Sequence, residues 1–174
     1  MKKYIAMFVI LSGVPLSSYA ANDTYGPVRG DHEFTLSGAG TSNKEFDRGT
    51  IGLSASYGRY LTDNWQLSIR QGLNFADLAN DNMWNGSTRL ALDYHWNFGK
   101  WRPLVGLQAG AIYGDGVQDT GVAGPEVGIK YYAKQDTFIY FLEEYQFFFE
   151  DTDDVNDNFD NGAFVHNIGV GFNF

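Results

Sequence analysis

The sequence contains no cysteine, which excludes a disulfide, a thiolate metal site and a cysteine nucleophile. Basic side chains are scarce too, with 12 Lys and Arg against 21 Asp and Glu. Two of the lysines, Lys2 and Lys3, open a stretch that reads as a secretory signal peptide. An apolar run from Tyr4 to Leu11 follows them, and Ser18-Tyr19-Ala20 places small residues where signal cleavage needs them. Removing residues 1–20 leaves 10 basic against 21 acidic side chains, a net charge of −11. That balance excludes binding of nucleic acid, or of an anionic surface, through bulk charge. Long apolar runs are missing as well. The run in the signal is too short to span a bilayer, and nothing after it approaches the ~18 residues of a transmembrane helix. Gly169-x-Gly171 ends a strand pattern and opens no helix, so it is no nucleotide-binding loop. No cofactor motif is present.

What the chain has is alternation. In the stretch from Phe164 to Phe174, the set Phe174, Phe172, Val170, Ile168, His166 and Phe164 is largely apolar. The interleaved set, Asn173, Gly171, Gly169, Asn167 and Val165, is mostly small or polar. Successive side chains of a strand point to opposite faces, so one face here is aromatic and aliphatic while the other is small. Seven earlier segments follow the same rule: about Glu33 to Gly40, Thr50 to Tyr60, Trp65 to Phe75, Ser87 to Phe98, Trp101 to Tyr113, Gly124 to Tyr132 and Thr137 to Phe149. Residues 21–31 read as a polar lead-in, and residues 32–174 as one domain. Thr62-Asp63-Asn64, Gly99-Lys100 and Lys134-Gln135-Asp136 have turn composition. Longer polar loops are expected at Thr41–Gly49, Ala76–Gly86, Gly114–Ala123 and Glu150–Gly162. Pro103 and Pro125 are expected among the first residues of their strands, where a missing N–H is tolerated.

Eight strands of about ten residues, joined by short turns and long loops in alternation, predict an all-β fold: an eight-stranded antiparallel up-and-down transmembrane β-barrel. Closure leaves no strand edge unpaired in lipid. A soluble up-and-down barrel would reverse the faces and bury Trp65, Trp96, Phe98, Phe172 and Phe174. Aromatic residues at strand ends favour the membrane. Tyr60, Trp65, Trp96, Phe98, Trp101, Tyr131, Phe172 and Phe174 are expected to form a girdle at the periplasmic interface. Strand seven is ambiguous. If Tyr145 and Phe147 face lipid, so does Glu143, unless a β-bulge near Leu142 to Glu144 shifts the phase or a partner holds Glu143.

The signal peptide, the eight alternating segments, Glu144-Tyr145-Gln146-Phe147 and the terminal Phe resemble the small eight-stranded outer-membrane proteins of the OmpA-barrel and OmpX type. The resemblance implies a Gram-negative outer membrane and contact with its lipids and lipopolysaccharide. It also implies an assembly signal, Ile168, Val170, Phe172 and Phe174, read by the barrel assembly machinery. A monomer is expected, without the peptidoglycan-binding domain of longer OmpA relatives. Members of such families serve envelope integrity, adhesion or host-factor binding, so an extracellular partner for the loops is implied.

Inside the barrel the alternation places Glu33, Arg70, Arg89, Asp93, Glu126, Lys130 and Glu144. Arg70 and Asp93 are expected at similar depth, as are Glu126 and Glu144. Paired carboxylates need a cation between them, and Arg70 or Arg89 reaches across so narrow a lumen. A salt-bridged plug and a gated ion path both fit, and a small conduit for hydrophobic solutes is a further alternative. An enzyme does not fit well. His32 has no serine beside it. His95 sits inside near Asp93. His166 faces outward, and two positions on stands Ile168 where the His-x-Ser of lipid A deacylases would need serine. The amphipathic amino-terminal helix of palmitoyl transferases is also missing. The acidic loop offers Asp151, Asp153, Asp154, Asp157 and Asp160 to a divalent cation bridging lipopolysaccharide phosphates. Val155 and Asn156 break the EF-hand spacing, however.

Overall fold

A computed structural model describes residues 25–42, 49–78, 81–114, 120–149 and 162–174. Eight strands form one closed antiparallel barrel in sequence order. They are β1 His32–Ser42, β2 Gly49–Tyr60, β3 Trp65–Leu78, β4 Asp81–His95, β5 Trp101–Gly114, β6 Thr120–Tyr132, β7 Thr137–Phe148 and β8 Gly162–Asn173. No helix occurs among the described residues. The last strand closes on the first through Glu33↔Asn173 up to Gly38↔Ile168. His32 and Phe174 exchange both backbone hydrogen bonds at the seam.

The faces separate by parity, as the pattern predicts. Leu53, Leu67, Ile69, Leu90, Leu107, Val127, Ile139, Ile168 and Val170 are exposed on the outer wall. Glu33, Gln66, Arg70, Arg89, Asp93, Glu126, Lys130 and Glu144 are buried inside. Such an inside-out distribution is stable only where lipid, not water, covers the wall. The alternative with a lipocalin-like core is therefore wrong: Trp65, Trp96, Phe98, Phe172 and Phe174 all stand outside.

Several expected boundaries shift. The polar stretch Ala76–Gly86 is not a long loop. β3 and β4 run on as a ladder as far as Leu78↔Asp81, and Asn74 Nδ2 donates to Asn85 Oδ1 at 2.8 Å. Polar composition misled here because a ladder rising out of the bilayer no longer needs an apolar face. For the same reason the third outer connection shrinks to residues 115–119. β4 ends at His95 rather than Phe98, and Trp96 and Phe98 lie in the turn, tied back to Pro103 and Trp101 by backbone bonds. Pro125 is the sixth residue of β6, not one of its first. Its ring occupies the β5 ladder opposite Leu107, while the β6–β7 ladder skips both Gly124 and Pro125. A missing N–H is thereby confined to one gap.

Tyr60 does not join the girdle. It shares parity with Gly58 and is 1% exposed, with its hydroxyl turned to the lumen. Nor is there a bulge in β7. Its ladder with β8 is continuous from Thr137↔Phe172 to Phe147↔Gly162. Glu143 therefore keeps the outward phase of Tyr145 and Phe147, and it is held by a partner: His166, its register neighbour, whose Nδ1 lies 2.5 Å from Glu143 Oε2.

The lead-in crosses the end of the barrel that carries the short turns. Pro27 is fully buried, and Gly26 N–H donates to the Gln135 carbonyl at 2.8 Å. Gly26 adopts φ 79°, and a Cβ there would strike the Arg102 guanidinium. Glycine is needed at this point for conformation and for clearance together.

Candidate functional site

The interior charges form two stacked clusters. In the upper one, Arg70 is the hub. It grips Glu126 with both nitrogens, Nη1 to Oε2 at 2.6 Å and Nη2 to Oε1 at 2.7 Å. Nη2 also donates to Asp93 Oδ2 at 2.9 Å, and Nη1 to Glu144 Oε1 at 3.2 Å. A planar fork suits this role, since a guanidinium meets a carboxylate with two parallel bonds. Arg89 Nη1 pairs with the other Glu144 oxygen, and Gln146 Nε2 adds a bond to Glu144 at 3.0 Å. Glu126 and Glu144 are register partners. Arg70 and Asp93 are not at one depth: Arg70 stands opposite Arg89, and Asp93 opposite Gln66. The length of the arginine stem, not the register, closes that contact.

The lower cluster centres on Glu33 and Lys130. Lys130 Nζ lies 2.6 and 2.8 Å from the two Glu33 oxygens. Glu33 also accepts from the Tyr60 hydroxyl at 3.1 Å, Gln66 Nε2 at 2.8 Å and Asn173 Nδ2 at 3.0 Å. Asn173 in turn accepts from the Tyr132 hydroxyl at 2.7 Å, and His95 Nε2 meets Gln66 Oε1 at 3.1 Å. Phe138 and Tyr132, both inside, wall this cluster. Lys130 Nζ sits 4.9 Å from the Phe138 ring centre, a cation–π geometry.

Parity alone finds Glu33, Arg70, Arg89, Asp93, Glu126, Lys130 and Glu144, three cations against four anions. Sequence reasoning missed a fourth cation. Arg102 is 2% exposed. It donates from Nη2 to the Tyr25 carbonyl at 2.9 Å and lies over the Tyr132 ring at 5.8 Å. Its place as the second residue of β5 has the inward parity of Leu104 and Gln108, and that signal was available. With Arg102 the buried formal charges balance, which a medium of low dielectric demands.

The lumen is not symmetric. Apart from Glu33 on β1, the charges occupy β3 to β7, while small hydroxyl side chains line the rest of β1 and β2. A cavity of about 30 Å³ touches Thr35, Ser37, Ser54, Ser56 and Asn167 beside the ion pairs. A second, of about 90 Å³, lies above it and shares Ser54 and Asn167. At roughly 10–15 Å³ per water, the first has room for about two or three waters and the second for about six to nine. Ser68 Oγ, Asp93 Oδ1 and Asn167 Nδ2 are buried without a protein partner, and all three residues line the smaller cavity.

The remaining candidates stand elsewhere. His32 opens β1 on the outer wall, with Nδ1 2.7 Å from the Tyr57 hydroxyl and its ring stacked on Phe174. Ile168, Val170, Phe172 and Phe174 all face outward. Glu143 and His166 make a dyad on the wall, but Ile168 gives it no nucleophile. Asp151, Asp153, Asp154, Asp157 and Asp160 lie outside the described residues. Among the described residues no group of three or more His, Cys, Asp or Glu is disposed to hold a metal.

No protein-family model matches the chain, and no curated protein does. Solved structures do. The N-terminal β-barrel domain of Pseudomonas aeruginosa OprF is similar at 24% identity, covering 84% of this chain and 98% of that one, with a TM-score of 0.57. Neisserial surface protein A is similar at 12% identity, covering 83% and 96%, with a TM-score of 0.58. The Yersinia pestis outer membrane protein Ail is similar at 13% identity, covering 84% and 100%, with a TM-score of 0.57. With its closed barrel, its lipid-facing wall and its charged interior, the chain has the fold of the small eight-stranded outer-membrane β-barrels.

Proposed function

We propose that this protein is a non-enzymatic integral barrel of the outer membrane, whose ion-paired interior is a permanent plug. Its work is done by what the scaffold holds at the surface: outer connections that serve envelope integrity, adhesion or another surface interaction. The observation that carries this reading is the Arg70 fork. It bridges Asp93 on β4, Glu126 on β6 and Glu144 on β7, so it spans the lumen from wall to wall. Among the described residues, cavities of about 30 and 90 Å³ lie beside it. The dyad of Glu143 and His166 without a serine supports the absence of hydrolytic chemistry. Planar-bilayer recording tests the plug: purified protein is expected to give no steady conductance, and steady openings in the unmodified protein would refute it.

A second reading rests on the hydroxyl-lined side. The two cavities adjoin at Ser54 on β2 and Asn167 on β8, and a narrow seam past the charges would run there. As a conduit for ions, that seam would show small openings altered by Ser54→Leu. As a plug's hydration shell, it would show none in either protein.

A further inference from the structure

An acid and a base meet on the lipid-facing side of β7 and β8. Glu143 on β7 and His166 on β8 are register partners, and the Nδ1–H of His166 donates to Glu143 Oε2 at 2.5 Å. Their side chains are 26% and 66% exposed. Counting eight residues up β8 from Phe174, at ~3.3 Å per residue along strands tilted about 40°, places His166 about 20 Å above the periplasmic aromatics. The apolar band of such barrels is ~25 Å tall. The pair therefore lies a few ångström below the outer interface, among the upper parts of the acyl chains.

Among the described residues, their surroundings supply no further partner. Tyr145 and Phe164 form a T-shaped pair above, with ring centres 4.8 Å apart. Phe141 and Ile168, themselves register partners, lie below, and Val127 flanks Glu143 on β6. On the β1 side is Gly38, the register partner of Ile168. Gly38 is exposed, and a Cβ built there would meet only the Gly52 carbonyl, at 3.8 Å. Bare backbone thus makes a notch beside the dyad. Among the described residues neither His166 Nε2 nor Glu143 Oε1 has a hydrogen-bond partner. A polar atom left unpaired in hydrocarbon costs several kcal/mol, so the lipid itself must meet these two.

We propose that Glu143, His166 and the notch at Gly38 form a recognition site for one outer-leaflet lipid whose acyl chains carry hydroxyl or amide groups just below the headgroup, the chemistry of lipid A. Glu143 Oε1 accepts a hydrogen bond from such a hydroxyl or amide N–H, and His166 Nε2 meets a second polar group. One chain lies in the notch over Gly38 beneath the Tyr145–Phe164 shelf. Ordinary phospholipid, with its ester groups at the headgroup boundary, offers no donor at this depth.

The test is native mass spectrometry of the full barrel, titrated with lipid A bearing 3-hydroxyacyl chains or with phosphatidylethanolamine of equal chain length. The variants are Glu143→Leu with His166→Leu, and separately Gly38→Leu, which fills the notch and leaves the dyad. Heat-modifiable gel migration establishes that each variant is folded. The expected result is one tightly held lipid A on the unmodified protein and a midpoint about tenfold higher in either variant, the size of losing two ordinary hydrogen bonds or their alignment. Phosphatidylethanolamine binding is expected not to change. Equal lipid A midpoints in all three proteins would overturn the proposal. So would an equal shift with phosphatidylethanolamine, or a dimer lost in the variants at constant lipid A affinity, which would make the occupant a second copy of the chain.

Discussion

Replacing Arg70 with methionine keeps an unbranched stem and removes the fork. Four hydrogen bonds to three carboxylates disappear. Glu144 keeps Arg89 and Gln146. Asp93 and Glu126 have no other ion-pair partner among the described residues, and both are buried, at 1% and 4% exposure. Breaking a buried pair from one side costs about 3–5 kcal/mol, because the charge left behind has lost both water and partner. Glu126→Gln alone is milder, since Arg70 retains Asp93 and Glu144. In Arg70→Met with Glu126→Gln, the amide no longer needs a cation, so the double variant is expected to lose less than the two single losses added, with a coupling of about 1.5–3 kcal/mol. Urea unfolding of the barrel in lipid vesicles, followed by tryptophan fluorescence and gel migration, measures each value. An Arg70→Met loss below about 1 kcal/mol, or strict additivity, would mean that the lumen is wet enough to screen these charges, and the plug argument would fail.

Three further outcomes follow from the same geometry. Glu143→Leu with His166→Leu removes a polar pair from the lipid-facing wall and should stabilise the barrel in vesicles of plain phospholipid by about 1–2 kcal/mol; a loss in the same unfolding assay would contradict the outward phase of β7. Gly171→Ala drives a Cβ into the Phe138 ring and Thr35, and Phe138 is 1% exposed with no room to retreat, so a destabilisation of about 1–3 kcal/mol is expected. Lipids brominated at the chain ends near the headgroup, placed in one leaflet at a time, should separate Trp65, Trp96 and Trp101 at the periplasmic end from Trp84 at the other, each read from a single-tryptophan variant. Quenching of Trp84 together with Trp96 from the same leaflet would refute the topology.

The fold was legible because parity is a strong signal over ten residues. Leu67, Ile69, Leu90 and Leu92 read as outward, and Gln66, Ser68, Arg70 and Arg89 as inward, and the structure has them so. Boundaries were harder. Ala76–Gly86 looked like a loop because composition reports contact with water, and a strand that has left the bilayer contacts water on both faces. Within the interior, Arg102 stands between Trp101 and Pro103 at the very start of its strand, although its parity with Leu104 and Gln108 points inward. Tyr60 was assigned to the girdle by its residue type, although its own parity with Gly58 pointed inward. The lower cluster drew on Gln66, Asn173 and Tyr132, neutral residues whose role appears only when the closing strand is laid beside β1. Contacts such as Arg70 to Asp93 depend on side-chain reach between unpaired positions, which no linear pattern encodes.

The charged interior has a consequence beyond stability. A buried ion network is often no more stabilising than a well-packed apolar one, and eight strands could fill their lumen with leucine. A barrel apolar on both faces, however, would have no preferred register, since sliding a strand by one residue would exchange two equivalent surfaces. Here a one-residue slip of β6 would carry Glu126 and Lys130 into lipid and bring Val127 and Ile129 against Arg70 and Glu33. The cost of that exchange falls on every strand that carries a buried charge: β1, β3, β4, β5, β6 and β7. β2 and β8 carry none. They are pinned instead by shape, with Gly58, Gly169 and Gly171 fitted against Gln66, Tyr140 and Phe138. Alternation sets which face meets lipid, and the ion pairs and these glycine contacts set which residue meets which.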